Sequence, residues 1–142
     1  MVLNVDLQEW IARKREELRQ LGPTQARNIT PSIRDFAHAV TTSRQALAVI
    51  VEMARRTPEE GALRGELDIP GLCAAMEAAS VSAVAVAVDN IACGGSASDL
   101  RGIVRASTLP VLSRDLVLSR EQIYQARLEG ANAVLLTASA VP

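Results

Sequence analysis

Glu52 closes one short apolar run of this chain, and the pair Arg114-Asp115 closes another. Parallel β/α folds place their reacting groups at such strand ends. Arg114-Asp115 therefore reads as the best remnant of a site, with a structural ion pair as the competing and favoured reading. Glu52 is either a relic of a catalytic carboxylate or a surface carboxylate at a strand end. Gly94-Gly95-Ser96 could cradle a phosphate with its backbone amides, although two glycines also make an ordinary turn. Arg55 and Arg56 could hold an anion, but beside Glu59 and Glu60 the favoured reading is solvation or pairing with those acids. Cys93 reads as a small filler rather than a nucleophile, since no histidine stands near to activate it.

His38 is the single histidine. A Ser-His triad or a histidine metal site is thereby disfavoured. Cys73 and Cys93, the two cysteines, lack metal-ligand spacing, so no metal and no cofactor is expected, and reduced thiols fit a cytoplasmic compartment. Lys and Arg total 15 against 16 Asp and Glu, which leaves no electrostatic footprint for nucleic acid or an anionic membrane. Aromatics are 2%, so base-stacking platforms are unexpected and the core must be built from Ala, Val, Leu and Ile. Hydrophobic residues make up 49% of the 142, enough for one folded domain. No apolar run reaches the ~20 residues that span a bilayer, and the first residues lack the pattern of a signal peptide.

The elements that must position these residues follow from periodicity. Residues 6–21 form an amphipathic helix, with Leu7, Trp10, Ile11, Leu18 and Leu21 as its packing stripe and residues 13–17 as its charged face. Asp6 is its N-cap and Gly22-Pro23 its stop. Thr30-Pro31-Ser32 opens a short helix through Val40. Strands are predicted over 48–53, 81–88, 109–112 and 131–138. The helices between them run over 70–79, from a Ser98 cap to 106, and from a Ser119–Gln122 capping box to 129. Four strands alternating with three helices are the signature of parallel β/α units. We divide the chain into a helical extension, 1–47, and a β/α unit, 48–142.

Several segments are similar to one family, in the right order and over nearly the whole chain. Ile11-Ala-Arg-Lys-Arg-Glu-Glu-Leu18 resembles the basic N-terminal helix of indole-3-glycerol-phosphate synthases, and Arg34-Asp-Phe-Ala37 the segment just before their barrel. Residues 52–61 resemble the Glu-x-Lys-x-x-Ser-Pro-Ser-x-Gly loop. Asp89 with Gly94-Gly-Ser-x-x-Asp-Leu100 resembles the stretch after the second strand. Leu109-Pro-Val-Leu-Ser-Arg-Asp115 resembles the Leu-Pro-Val-Leu-Arg-Lys-Asp-Phe third strand, and Tyr124-x-Ala-Arg-x-x-Gly-Ala-x-Ala-Val-Leu-Leu136 the third helix and fourth strand.

The resemblance implies a (β/α)8 barrel with extra N-terminal helices, of which this chain would form half: four parallel strands with their helices. Such barrels typically need about 250 residues. It also implies an enzyme that closes the indole ring of a carboxyphenylamino-deoxyribulose phosphate, losing carbon dioxide and water. Glu52 and Arg114 then fall on catalytic positions, and Thr57, Gly94, Gly95 and Ser96 on the substrate side. The match departs at telling places. A substrate-contacting lysine becomes Ala54, the Ser-Pro-Ser becomes Thr57-Pro58-Glu59, the aromatic before Gly-Gly-Ser becomes Cys93, and the general-acid lysine becomes Arg114. Arginine holds its proton up to a pKa above ~12 and is a poor acid near neutrality.

A half barrel exposes the face that would meet its other half, and it has two unpaired edges. The expected remedy is a second copy of the chain, another protein, or the N-terminal helices folded back over the face. We therefore expect a non-catalytic, degenerate relative acting as a structural or protein-binding subunit. A synthase, truncated or completed by a second chain, or an anion and small-molecule sensor, are the alternatives.

Overall fold

The computed structural model describes residues 6–20, 29–43, 46–57, 60–63 and 66–140. Helix α1, Leu7–Gln20, begins where expected, with the Asp6 carboxylate accepting from the Gln8 amide at 3.1 Å. The Gly22-Pro23 stop lies outside the described residues. One part of the expected charged face is inverted: Lys14 is buried together with Ile11, whereas Arg13 and Arg19 stay outside, paired with Glu9 and Glu16. Helix α2, Phe36–Thr41, starts later than the proline suggested. Ser32 Oγ donates to the Arg34 carbonyl and accepts from its amide, making a local turn that competes with helix. Asp35 is the actual cap, accepting from the His38 amide at 2.9 Å.

Strand β1, Ile50–Met53, is followed by a small antiparallel hairpin, β2 Arg56–Thr57 and β3 Gly61–Ala62, that the sequence did not announce. Helix α3, Ile69–Ala78, is capped by Asp68. Strand β4, Ala83–Ala87, is buried throughout. A single turn, α4 Asn90–Cys93, precedes α5, Ala97–Ala106. The N-cap of α5 is Ser96, not Ser98, because Ser96 Oγ both accepts from the Asp99 amide and donates to the Asp99 carboxylate. Strand β5, Val111–Arg114, leads to α6, Arg120–Leu128, where the Gln122 side chain accepts from the amides of Leu118 and Ser119. Strand β6 is only Ala133–Val134, shorter than its apolar run. Among the described residues it has a neighbour on one side only, and the chain turns at residues 137–140.

The four long-range strands form one parallel sheet in the order β1-β4-β5-β6, the arrangement of a half barrel. Register sorts its two faces. Val51, Met53, Val84, Val86 and Val111 turn toward α3 and α5 and pack with Cys73, Met76, Leu100 and Ile103. Each buried valine contributes about 1.5–3 kcal/mol relative to exposure. The opposite face carries Ile50, Glu52, Leu112 and Arg114, separated by the small Ala83, Ala85 and Ala87 of β4. This is the face that a barrel turns inward, its concave face.

The N-terminal residues reach both ends of the sheet. At the ends where β5 and β6 begin, Arg34 donates to the carbonyls of Val104 and Leu109, Asn132 to Ser32 Oγ, and Arg127 to the Thr30 carbonyl. At the opposite ends lies α1, with Trp10, like Ala54, packed against Ala87, Ala92 and Cys93. The helices thus fold back over one end of the concave face but leave Ile50 and Leu135 each more than 40% exposed.

Candidate functional site

The strand ends of β1 and β5 bring Glu52 and Arg114 together across 62 residues of sequence. One carboxylate oxygen accepts from Arg114 Nε at 2.9 Å and from Nη2 at 2.6 Å. Nη2 also reaches Cys93 Sγ at 3.2 Å. Burial works against the Arg114 charge, but the Glu52 hydrogen bond and the neighbouring negative groups outweigh it, so the guanidinium holds its proton more firmly than usual. Burial pushes the Cys93 thiol up, and the pull of Arg114 does not reverse it. A protonated guanidinium bound to a carboxylate beside a protonated thiol offers neither a general acid nor a thiolate nucleophile.

Asp89 follows β4 and Asp115 follows β5, and between them sits a cation that sequence reasoning placed on a solvated face. Lys14 Nζ lies 2.8 Å from Asp89, 2.9 Å from Asp115 and 3.0 Å from Glu17, with its side chain only 2% exposed. Trp10 Nε1 donates to the same Asp89 oxygen at 3.1 Å, and the Ala92 amide donates to the other at 2.6 Å. Burial pushes the Asp89 carboxyl up, but the Ala92 amide, Lys14 and Trp10 outweigh it and hold it below its usual range. Asp115 goes the other way: burial raises it, and the Asp89 charge adds to that against the pull of Lys14. One ammonium thus serves three carboxylates, two of them at strand ends. A signal existed: position 14 falls four residues after Trp10 and three after Ile11, on the packing stripe itself.

The two arginines after β1 are half-buried, and neither is ion-paired with Glu60 among the described residues. Glu59 lies outside the described residues, and Glu60 is exposed. The hairpin instead turns Arg55 onto Asp99, Nε and Nη2 meeting the two carboxylate oxygens at 3.1 and 2.6 Å. Arg56 donates to the carbonyls of Asn90 and Ile91. Arg55 is therefore neutralised by the protein, whereas Arg56 is held by carbonyls alone and its Nε is buried without a partner among the described residues. The glycine loop is likewise closed on itself: the Gly94 amide donates to Asn90 at 3.0 Å and the Gly95 amide to Asp89 at 3.2 Å. Thr57 Oγ1 accepts from the Glu60 amide.

The Arg55 contact, aided by Ser96, holds the Asp99 carboxyl below its usual range. A carboxylate so depressed stabilises the fold above the ordinary value near 3.9, and that stability is lost as pH falls through the lower folded value. We expect urea midpoints to fall between pH 5 and pH 2, and the fall to be shallower in Asp99→Asn. Parallel curves for the two proteins would refute the assignment.

A model of the indole-3-glycerol phosphate synthase family matches residues 3–142. The chain belongs to that family. It is 42% identical over 96 residues to the indole-3-glycerol phosphate synthase of Beutenbergia cavernae, covering 68% of this chain and 36% of that enzyme. The synthase of Geobacillus kaustophilus is 32% identical over 139 residues, 96% of this chain and 52% of its own length. That of Chlorobium phaeovibrioides is 33% identical over 111 residues, 78% and 43% respectively. The chain spans between a third and a half of the curated relatives it matches. Its four-stranded parallel sheet is the part of a (β/α)8 indole-3-glycerol phosphate synthase barrel that the motifs implied. No described helix is long and apolar enough to cross a membrane.

Proposed function

We propose that this chain is a non-catalytic member of the indole-3-glycerol phosphate synthase family that acts as a structural or protein-binding subunit through the concave face of its sheet. The observation that carries this is the state of that face: among the described residues β1 and β6 each have one strand neighbour, and Ile50 of β1 and Leu135 just after β6 are exposed beside them. Unpaired strand edges beside apolar side chains favour addition of further strands. The Glu52–Arg114 pair supports the non-catalytic half of the reading, because the residue at the family's general-acid position is a guanidinium bound to the residue at its glutamate position. Losing a general acid alone typically costs about 10²–10⁴-fold in rate.

The partner is a second copy of the chain or another protein, in a reducing compartment that keeps Cys73 and Cys93 as free thiols. Two measurements test the proposal. Incubated with carboxyphenylamino-deoxyribulose phosphate, the pure chain is expected to form no indole product. Turnover in the usual range of about 1–10³ s⁻¹ would overturn the non-catalytic reading. The native mass of protein drawn gently from its own cells is expected to exceed one chain, and a stable monomer would overturn the binding role. A second reading, a synthase completed by another polypeptide, draws on the location of Glu52 and Arg114 at the strand ends where barrels place catalytic groups. It predicts that activity appears when the co-purifying partner is added back.

A further inference from the structure

Across the concave face the side chains alternate in bulk from strand to strand. At one level of the register β1 presents Glu52, β4 Ala85, β5 Leu112 and β6 Ala133: large, small, large, small. Ile50 beside Ala83 repeats the contrast one level down. Small barrels fill their interiors with such an alternation, and eight strands make the ring whose interior side chains just fill it. A copied β1 laid against β6 continues the sequence, large after small, and a copied β6 laid against β1 does the same. Like edges break it: β1 on β1 sets large beside large, and β6 on β6 sets small beside small.

The starting ends of the edge strands carry the same complementarity. Leu47, just before β1, is 76% exposed, and Ile33 is 97% exposed. Ile33 follows Ser32, which Asn132 holds immediately before β6. The two apolar side chains thus stand at the same end of the sheet but at its opposite edges. In a parallel seam the starting ends of β6 and of a copied β1 abut, and these side chains meet there. Charge sets no bar to a copy. Glu52 and Arg114, the charged side chains of the concave face among the described residues, are bonded to each other, so a copy meets no excess of either sign. Helix α1 is fastened over the two central strands, where Lys14 meets Asp89 and Asp115, and it pairs with neither edge strand.

We propose that the concave face takes a second copy of this chain, β1 of each laid parallel against β6 of the other, so that two chains close one eight-stranded barrel about a two-fold axis. The proposal rests on the reading of that face as a binding surface and names its partner. It is tested on the pure full chain. Light scattering after size exclusion is expected to give twice the mass of one chain. In the double variant Ile33→Cys/Leu47→Cys, the short thiol cross-linker bismaleimidoethane is expected to give a covalent dimer on a denaturing gel, and neither single variant is expected to give one. Cys73 and Cys93 are buried and stay silent. Both substituted positions are exposed, so the fold is retained, which circular dichroism checks. A monomeric pure chain, an open series of larger assemblies, a covalent dimer from a single variant at the yield of the double, or none from the double would each overturn the proposal. A pure chain that is monomeric yet leaves its cells bound to another protein overturns this proposal alone. A monomer in both settings overturns the binding role as well.

Discussion

Replacing Lys14 with methionine is expected to cost about 3–5 kcal/mol of stability, the usual penalty for removing one partner of a buried ion pair. That is a large share of the roughly 5–15 kcal/mol that holds a domain together. The cause is the pair of carboxylates left behind. Asp89 is 1% exposed, and Asp115, although less buried, is already raised by burial and by Asp89. The Ala92 and Leu116 amides would still serve them, but without the ammonium their charges repel each other. Trp10 donates to Asp89 and is the single tryptophan, so its emission reports α1 directly during urea unfolding. The triple variant Lys14→Met, Asp89→Asn, Asp115→Asn should recover much of the loss, because neutral groups bury far more cheaply than orphaned charges. A loss under about 1 kcal/mol in the single variant would mean that the cluster is not the fastening of α1.

A comparable effect is expected from one methyl group at Gly95. A Cβ built there would lie 1.8 Å from the Ala87 carbonyl oxygen and 2.8 Å from its carbon. Those atoms belong to the buried central strand and cannot step aside as a flexible side chain would. Gly95→Ala should therefore destabilise by at least about 3 kcal/mol, at or beyond the upper end of ordinary overpacking. Gly94 is a different case. It ends α4 at φ +63°, with its nearest neighbour the movable Arg56 side chain at 3.4 Å, so alanine there costs about 1–2 kcal/mol of left-handed strain. Thermal midpoints of the two variants give the ordering. If Gly95→Ala were as stable as the parent, close packing would not explain the second glycine.

The course of the chain was legible because its punctuation is local. Asp6 and the Ser119–Gln122 pair stand where their helices start, and the valine-rich run at residues 81–88 marks the central strand. The misses share one physical cause: a distant partner decided between two locally acceptable choices. Ser96 and Ser98 both suit a cap, and what separates them is Asp99, held by Arg55 from 44 positions upstream. Pro31 suits a first helical turn, yet Ser32 is drawn into a turn and bound by Asn132. Lys14 has a solvated character by type and a buried one by position. A two-residue hairpin such as β2–β3 is too short to show any alternation. The Glu52–Arg114 pairing was visible only as two strand ends of one resembled fold, since nothing within either segment points to the other.

The anchoring of the N-terminal residues has a temporal side. Thr30, Pro31 and Ser32 are gripped by Arg127 and Asn132, partners 96 to 100 positions later. During synthesis at about 5–20 residues per second, the early segment waits on the order of 5–20 s before those partners exist. Through that interval the apolar stripe of α1 and the first strand have left the ribosome with few of their final neighbours. Docking of residues 30–32 is thus a late event, and the nascent chain offers holding chaperones a window at that segment until Arg127 and Asn132 are in place.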